Sequence, residues 1–379
     1  MRSANFRFVY KTSYYVCLLL LLFFNNANPG RSLADVENAL VNFVHYKIDL
    51  KKAARIDSFF TAKHHYRAFN GSALFAEKGR IIYEGAFGYS NFRKKDTLQI
   101  TSAFQLASVS KPLTAFAILM LYEKGKLDLE DDVRKFYPEF PYEGITIRML
   151  LSHRSGLPNY MYFADQLWPN RRIPITNQDV IRLMVQYKPA RYYRPDTRFN
   201  YSNTNYCLLA AIVEKISGMP FEDFMREEVF EPLGMHHTFI YRKGKTPLPP
   251  NAVIGYDKSG NVAEDSYLNG VVGDKGVYST VEDLAKFDRA LNEGILVSRT
   301  TLEKAFQPMN REMRGSRNYG LGWRITFNKK GHRIVYHTGW WKGFKTYFVK
   351  DIKEQKTIIA LTNTIRGNYL TVRELTELF

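Results

Sequence analysis

The order of β-type and helical patterns along the 379-residue chain is the feature that most restricts its fold. Runs rich in β-branched and aromatic residues lie near both ends: Gly71–Tyr89 predicts a hairpin, and Ile334–Thr338, Gly343–Val349 and Thr357–Thr362 predict strands. Helical spacing and Pro/Gly connections dominate the middle, at about residues 119–269. We therefore predict an α/β plus all-α protein, in which both chain ends build one sheet and a helical subdomain is inserted between them.

Apolar residues at helical spacing predict individual helices inside and outside this middle region. One helix begins near Ser108, tolerates Pro112 in its first turn and ends at Gly125. Another is predicted to begin at Thr280, whose side chain is suited to cap its first turn. The remaining predicted helices are Asp35–Tyr66, Asn177–Gln186, Tyr206–Ile216 and Leu370–Phe379.

The first 27 residues have the pattern of an export signal. Arg2, Arg7 and Lys11 give a positive start, and an apolar run from Tyr14 to Phe24 follows. That run is short for a helix that spans a membrane. We therefore expect residues 1–27 to be a signal peptide and the protein to be periplasmic or extracellular. Membrane association through an uncleaved signal is the alternative.

The composition is basic, with 54 Lys and Arg against 37 Asp and Glu and a formal net charge of +17. Such a charge favours anionic wall polymers or membrane headgroups, and a solvated basic surface without a partner is the alternative explanation. The basic residues are scattered and form no nucleic-acid-binding motif, so we expect no nucleic-acid partner. Once the signal is removed, Cys207 is the remaining cysteine, and the fold must rely on its core rather than on an internal disulfide.

Ser108-Val109-Ser110-Lys111 forms an S-x-x-K motif at the start of a predicted helix. Residues i and i+3 share a helix face, so the Ser108 hydroxyl and the Lys111 amine are expected to meet. A serine needs a nearby base to act as a nucleophile, and a lysine whose charge is disfavoured can supply it. The N–H groups at a helix start also favour an oxyanion. We therefore predict Ser108 as the nucleophile and its own N–H as one oxyanion-hole donor.

A Y-x-N triplet, Tyr201-Ser202-Asn203, lies in a polar stretch just before a predicted helix. A tyrosine oxygen can pass a proton between nucleophile and leaving group. The Asn203 amide offers both a donor and an acceptor to an amide substrate. The same triplet occurs at Tyr89–Asn91, where we expect a structural role because it follows the predicted hairpin at a turn.

His337-Thr338-Gly339 ends a predicted strand and supplies a third motif. A strand edge beside the serine would pair with an extended peptide, and Gly339 would allow the substrate to approach the backbone closely. The N–H of Trp340 is then the predicted second oxyanion-hole donor. Taken alone, His337 is better explained as an ordinary half-buried histidine.

In this order the three motifs resemble those of the serine β-lactamases and DD-peptidases, in particular the class C β-lactamase-like branch. The pairing of Y-S-N with H-T-G is most similar to the secreted DD-carboxypeptidases of that branch. The similarity extends over about residues 35–365. Its supporting segments are Phe69–Ser72, Gly85–Tyr89, Leu150–Leu157, Glu231–Met235 and Tyr319–Trp323.

The resemblance implies a β-lactamase/DD-peptidase-like fold, with an antiparallel sheet flanked by helices. It implies a single hydrolase domain over residues 35–379. The α/β part of this domain would comprise about residues 35–118 and 270–379, and the helical part about residues 119–269.

The resemblance also implies a mechanism. Ser108 attacks a carbonyl and becomes acylated, and Lys111 and Tyr201 share the proton transfers, either of them being the general base. Asn203 orients the substrate amide, and water hydrolyses the ester without a metal or cofactor. The strand side of the site, where a substrate carboxylate would bind, consists of His337, Thr338 and Gly339. The implied substrates are small D-amino-acid peptides, β-lactams or esters, with cell-wall peptidoglycan as a potential partner.

Two departures from the family pattern leave the substrate open. His337 stands where β-lactamases carry a lysine, so a positive charge at neutral pH is not assured, which favours a peptidase or esterase. Trp340 and Trp341 follow Gly339 and either contact substrate or pack within the fold. A class C-like β-lactamase or an esterase is the alternative within the class. A penicillin- or wall-peptide-binding sensor without turnover is the alternative from another class.

The sequence offers little support for other kinds of site. The pairs His64-His65 and His236-His237 lack the i, i+4 spacing and the accompanying carboxylates of a metal site, so no metal is expected. Neither a G-x-S-x-G nucleophile elbow nor a phosphate-binding G-x-x-x-x-G-K-[ST] loop occurs.

Overall fold

The computed structural model describes residues 33–310, 312, 317–367 and 370–379. The chain divides into two compact units, Met1–Phe59 and Phe60–Phe379. The described part of the first unit belongs to helix α1 (Leu33–His65), which confirms the helix predicted for Asp35–Tyr66. The predicted signal, residues 1–27, lies outside the described residues. Within the part of the chain that is described, no helix has the length and apolar character needed to cross a membrane.

The second unit is built on a seven-stranded antiparallel sheet. Its strands are β1 (Gly71–Glu77), β2 (Arg80–Phe87), β8 (Asn318–Tyr319), β9 (Arg324–Phe327), β10 (Arg333–Trp341), β11 (Phe344–Asp351) and β12 (Lys356–Thr362). They lie in the order β2-β1-β12-β11-β10-β9-β8. Because β1 pairs with β12, early and late parts of the chain share one sheet, as the sequence predicts.

Among the described residues, five short strands lie outside this sheet. They are β3 (Tyr89–Asn91), β4 (Asp96–Thr97), β5 (Phe104–Gln105), β6 (Phe239–Ile240) and β7 (Val277–Ser279). β3 pairs with β4, and β5, β7 and β6 form a small three-stranded sheet in that order. The small sheet was not predicted, and it leads the chain from β5 directly into the turn that carries Ser108.

Each helix that the sequence predicts individually has a counterpart in the structure, although bounds differ. The helices after α1 are α2 (Ser110–Glu123), α3 (Ile147–Leu151), α4 (Tyr160–Leu167), α5 (Asn177–Tyr187), α6 (Asn203–Ser217), α7 (Phe221–Met225), α8 (Val281–Glu293), α9 (Arg299–Ala305) and α10 (Val372–Thr376). Within the described residues, four further helices were not predicted individually: Ile147–Leu151, Tyr160–Leu167, Phe221–Met225 and Arg299–Ala305. α2 begins at Ser110, two residues after Ser108. α6 begins at Asn203 rather than at Tyr206. The predicted final helix, Leu370–Phe379, is wrong in extent.

The short α10 has a local explanation. Thr371 and Glu374 form a capping box that fixes the start of the helix. Past Thr376 the chain tightens, because the N–H groups of Leu378 and Phe379 bond to carbonyls only three residues back.

Helix α2 occupies the centre of the second unit. Every residue from Ser110 to Leu121 is buried, including Lys111, and the helix packs against α6. A helix that is apolar around its whole circumference requires packing partners on every side. The core therefore fixes the position of the helix that follows Ser108.

Helix α8 packs against β1 and β12 on one face of the sheet. A buried ion pair joins helix and sheet, because Lys350 Nζ lies 2.7 Å from Asp288 Oδ1. The Thr357 hydroxyl donates to the same carboxylate oxygen at 2.7 Å. The pairing of β1 with β12 is equally tight, since a Cβ at Gly71 would lie 1.9 Å from the Leu361 carbonyl oxygen. The two chain ends are therefore held together by steric fit as well as by the ladder.

Candidate active site

Ser108 is the middle residue of a 3₁₀ turn, Ala107–Val109, between β5 and α2. Ala107 has a φ of +50°, in the left-handed region that non-glycine residues rarely occupy. Ala107 and Val109 are buried, whereas Ser108 is partly exposed. The core therefore holds both ends of the turn and leaves the serine open to solvent.

The Lys111 side-chain nitrogen lies against the Ser108 hydroxyl. Lys111 Nζ donates to Ser108 Oγ at 2.9 Å and to the carbonyl oxygen of Asp274 at 2.8 Å. The predicted i, i+3 contact is present, although a 3₁₀ turn and not an α-helix carries the serine. Residues i and i+3 are eclipsed in a 3₁₀ turn, which brings the two side chains to the same side. Lys111 itself is fully buried.

Tyr201 lies two residues before the start of α6 and close to two basic side chains. Its ring centroid is 5.1 Å from Lys111 Nζ and 5.0 Å from the guanidinium carbon of Arg324. On another side, the His153 ring packs against it with a centroid distance of 4.2 Å. Asn203, the first residue of α6, places its amide nitrogen 3.3 Å from the sulfur of Met161. Of the triplet, Tyr201 therefore lies beside Lys111, while Asn203 contacts Met161.

His337 is fully buried on β10. Its Nδ1 lies 2.9 Å from the Thr338 carbonyl oxygen, and its Nε2 lies 3.1 Å from the Tyr319 hydroxyl. A carbonyl only accepts, so the proton is on Nδ1 and Nε2 accepts from Tyr319. Burial, together with the charges of Arg324 and Lys111, holds the pKa of His337 well below its usual range. The imidazole is therefore neutral at pH 7.

Gly339 brings β10 against the turn that carries Ser108. A Cβ at this position would lie 2.2 Å from the Leu106 carbonyl oxygen and 2.3 Å from Thr346 Oγ1. Trp340 follows directly, so its backbone lies next to the same turn, and its side chain is 61% exposed. Trp341 is instead held in place, because its Nε1 donates to Asn269 Oδ1 at 2.7 Å.

Arg324 was missed by sequence reasoning, as were Tyr319 and Asp274. Arg324 is half-buried on β9, and its Nε has no hydrogen-bond partner within the described part of the chain. A lone arginine on a four-residue strand matches no motif, so the sequence carries no signal for it. Tyr319 lies in a segment that the family resemblance includes, yet its contact with His337 depends on the pairing of β8, β9 and β10.

The second Y-S-N triplet lies apart from these residues. It forms β3, and Asn91 Oδ1 accepts from the backbone N–H groups of Arg93 and Lys94, each at 3.0 Å. This side chain caps a turn, which is the kind of structural role predicted for it. In the described ranges, no cluster of three or more His, Cys, Asp or Glu side chains is arranged to hold a metal ion.

Comparison with known proteins assigns the family. The family model described as Beta-lactamase matches residues 56–373. The chain is 37% identical over 325 residues to Penicillin-binding protein 4* of Bacillus subtilis (strain 168), a match that covers 82% of this chain and 72% of that protein. It is 26% identical over 305 residues to protein flp of Staphylococcus aureus (strain MRSA252), covering 77% of this chain and 59% of that protein. The chain thus spans only part of the length of these relatives.

A solved structure is similar over a comparable range. The octameric penicillin-binding protein homologue from Pyrococcus abyssi aligns with a TM-score of 0.72 and 29% identity, covering 82% of this chain and 73% of that chain. The predicted fold class, with its antiparallel sheet and flanking helices, is therefore confirmed. The chain belongs to the Beta-lactamase family, among the β-lactamase-related serine hydrolases that its three motifs indicate.

Proposed function

We propose that this protein is an exported acyl-enzyme hydrolase that uses Ser108 to cleave D-amino-acid peptides or related amides and esters. The observation that carries the proposal is the 2.9 Å hydrogen bond between Nζ of the buried Lys111 and the partly exposed Ser108 hydroxyl. A buried amine beside an accessible serine is the arrangement that activates a serine nucleophile.

In the proposed reaction, Ser108 Oγ bonds to the substrate carbonyl carbon and gives its proton to Lys111 or Tyr201. The leaving amine or alcohol takes up that proton as its bond to the carbonyl carbon breaks. Water then attacks the ester, and its proton returns through the same two groups to Ser108. The backbone N–H groups of Ser108 and Trp340 are the proposed oxyanion-hole donors, and the close contact of Gly339 with Leu106 supports this pairing.

We assign substrate orientation to Asn203, to Thr338 and to a cation other than His337. The neutral, internally bonded imidazole of His337 offers no charge to a substrate carboxylate. Arg324, with its guanidinium carbon 5.0 Å from the Tyr201 ring, is the cation that we propose for this contact. An arginine fork suits a carboxylate better than a point charge does.

The site of action is the second part of the proposal. The positive start and apolar run within residues 1–27 support export, and a basic composition suits an anionic cell surface. Peptidoglycan is the proposed natural source of D-amino-acid peptides. Recovery of the mature protein outside the cytoplasm, with its new N-terminus read by mass spectrometry, would test this assignment.

The test of the catalytic proposal is Ser108→Ala. We expect it to abolish hydrolysis across a panel of D-Ala-D-Ala peptide, D-amino-acid amide, p-nitrophenyl ester and chromogenic β-lactam, with an unchanged melting temperature. Unchanged turnover in the variant would place the nucleophile elsewhere. The preferred substrate in the wild-type panel decides between peptidase, esterase and β-lactamase activity.

A binding sensor without turnover is the alternative, and a time course separates it from an enzyme. Intact-mass spectrometry after addition of a fluorescent penicillin follows the adduct on Ser108. The proposal predicts labelling that decays with release of hydrolysed product. An adduct that persists, together with no turnover of any panel substrate, would assign the sensor role instead.

A further inference from the structure

Three buried polar side chains form a network directly behind Lys111. Tyr160 Oη donates to Asp274 Oδ2 at 3.0 Å, and Lys275 Nζ donates to Tyr160 Oη at 2.8 Å. Lys275 Nζ also donates to the Val271 carbonyl oxygen at 3.1 Å and lies 3.5 Å from Asp274 Oδ1. All three side chains belong to residues that are at most 2% exposed. The network is therefore closed to solvent.

The backbone of this network holds the Lys111 side-chain nitrogen. The Asp274 carbonyl oxygen accepts from Lys111 Nζ at 2.8 Å, and the preceding carbonyl, of Gly273, accepts from Thr114 Oγ1 at 2.8 Å. Gly273 has a φ of +97°, and a Cβ there would lie 2.4 Å from the Tyr206 carbonyl oxygen. This conformation is open to glycine alone at that distance. Two consecutive carbonyls therefore face α2 from a segment pressed against α6.

The same network touches two other elements of the site. The backbone N–H of Tyr160 donates to Thr204 Oγ1 at 2.7 Å. Thr204 is the residue after Asn203 in α6. Lys275 Nζ lies 5.6 Å from the centre of the Trp341 ring, near the end of β10. The three elements that assemble the candidate site, α2, α6 and β10, thus meet at one set of buried side chains.

Stability alone does not account for these residue types. A buried ion pair often stabilises a fold no more than apolar side chains of equal volume. Burial holds the pKa of Lys275 below its usual value in spite of Asp274. The other titratable groups that face the network are Lys111 from α2, Cys207 from α6 and Tyr267. A buried polar network that is unfavourable to desolvate and contacts the candidate base is typical of residues that position a catalytic group.

We propose that Asp274, Tyr160 and Lys275 are positioning residues for Lys111, and this inference rests on the function proposed above. Tyr160 and Lys275 hold the Asp274 side chain, which fixes the direction of the Asp274 carbonyl. That carbonyl accepts one N–H of Lys111 and so fixes the position of the Lys111 nitrogen beside Ser108 Oγ. The opposite charges of Asp274 and Lys275 nearly cancel, and together they set the electrostatic field at the general base.

Tyr160→Phe tests the geometric part, with Tyr137→Phe as a matched control. Tyr137 is also a buried tyrosine, and its hydroxyl bonds to the Ala211 carbonyl at 3.0 Å. We expect Tyr160→Phe to lower the rate constant of Ser108 acylation by about 10- to 100-fold, with an unchanged KM, because displacement of a catalytic group acts on the chemical step. Tyr137→Phe should lower the melting temperature to a similar extent and leave acylation unchanged.

Asp274→Asn and Lys275→Met test the electrostatic part. Loss of the anion disfavours a protonated base, so the acid limb of the kcat/KM profile should move to lower pH in Asp274→Asn. Loss of the cation should move it to higher pH in Lys275→Met. The double variant, which removes both charges, should return the limb towards its wild-type position. A purely structural role would not produce opposite shifts.

The outcomes separate this inference from the proposed function. If Ser108→Ala abolishes acylation while the Tyr160 variant acylates at the wild-type rate with an unmoved pH profile, the positioning role is wrong and the function stands. If Ser108→Ala remains active, both are wrong. Should the Tyr160 variant fail to fold, identical acid limbs in Asp274→Asn and Lys275→Met would overturn the inference on their own.

Discussion

Tyr201 provides the most direct test of the catalytic proposal. Its ring lies within about 5 Å of Lys111 Nζ and of the Arg324 guanidinium carbon. The identical triplet at Tyr89–Asn91 caps a turn in β3 and provides a control within the same chain. Substitution of each tyrosine in turn therefore distinguishes a catalytic role of the triplet from a structural one.

We predict that Tyr201→Phe lowers kcat by about 100-fold or more, because proton transfer by a positioned side chain contributes about 10²- to 10⁴-fold. Steady-state kinetics on the preferred substrate of the panel measures the change. Tyr89→Phe should stay within about twofold of wild type, since its ring is exposed. Loss of activity in Tyr89→Phe with retention in Tyr201→Phe would mean that the other triplet is functional.

Arg324 carries a second prediction at the residue scale. Arg324→Gln should raise KM for a D-Ala-D-Ala peptide by about tenfold, because a charge-assisted hydrogen bond is worth about 1.5–3 kcal/mol. KM for a p-nitrophenyl ester that has no carboxylate should stay within about twofold. Arg333→Gln, on the neighbouring strand β10, is the control. An equal rise of KM for both substrates would exclude a carboxylate contact.

Residues were predictable where their contact is local in sequence. Ser108 and Lys111 meet because three residues separate them in a helical turn. Asp274 and Arg324 reach the same site through strand pairing and a loop, which no spacing rule encodes. The charge state of His337 was also left open, because it depends on burial and on two distant cations.

At the scale of elements, the buried pair Lys350–Asp288 fastens α8 to the sheet. Lys350→Ala leaves the Asp288 carboxylate buried without its cation, and we expect a loss of about 3–5 kcal/mol in the free energy of unfolding by urea. Lys124→Ala breaks the exposed ion pair with Glu228, 2.9 Å long, and should cost less than about 1 kcal/mol. Equal losses in the two variants would show that burial of the pair is not what matters.

The elements that the sequence predicts are the long ones with a clear period. β10, β11 and β12 alternate or run apolar over seven residues or more, and all three were expected. The sheet of β5, β6 and β7 was missed, because strands of two or three residues show no period at all. The predicted helix near the C-terminus is longer than the observed one, because side-chain capping at Thr371 sets its start and its last turn tightens.

For the whole molecule, two buried histidines link stability to pH. Burial and nearby cations hold the pKa of His153 and of His337 well below the usual value. Both are therefore neutral when folded, whereas the unfolded chain takes up protons below about pH 6.5. Unfolding then binds protons, so stability is present above this pH and is lost as the pH falls.

We predict that the free energy of unfolding falls by about 1.4 kcal/mol per pH unit for each of these histidines below about pH 6. Urea denaturation at intervals from pH 7 to pH 5 measures the slope. His337→Gln should reduce this slope by about 1.4 kcal/mol per pH unit, the contribution of one proton. His65→Gln should leave the slope unchanged, because the His65 side chain is exposed. A wild-type slope of zero across this range would contradict the prediction.

The position of β12 between β1 and β11 has a consequence for the newly made chain. The first strand joins the rest of its sheet only through a partner that leaves the ribosome long after Ser108 and Lys111 have emerged. Until then, β10 lacks the completed sheet that holds Gly339 against the turn that carries Ser108. The proposed reactivity of Ser108 should therefore be absent from fragments that end before β12.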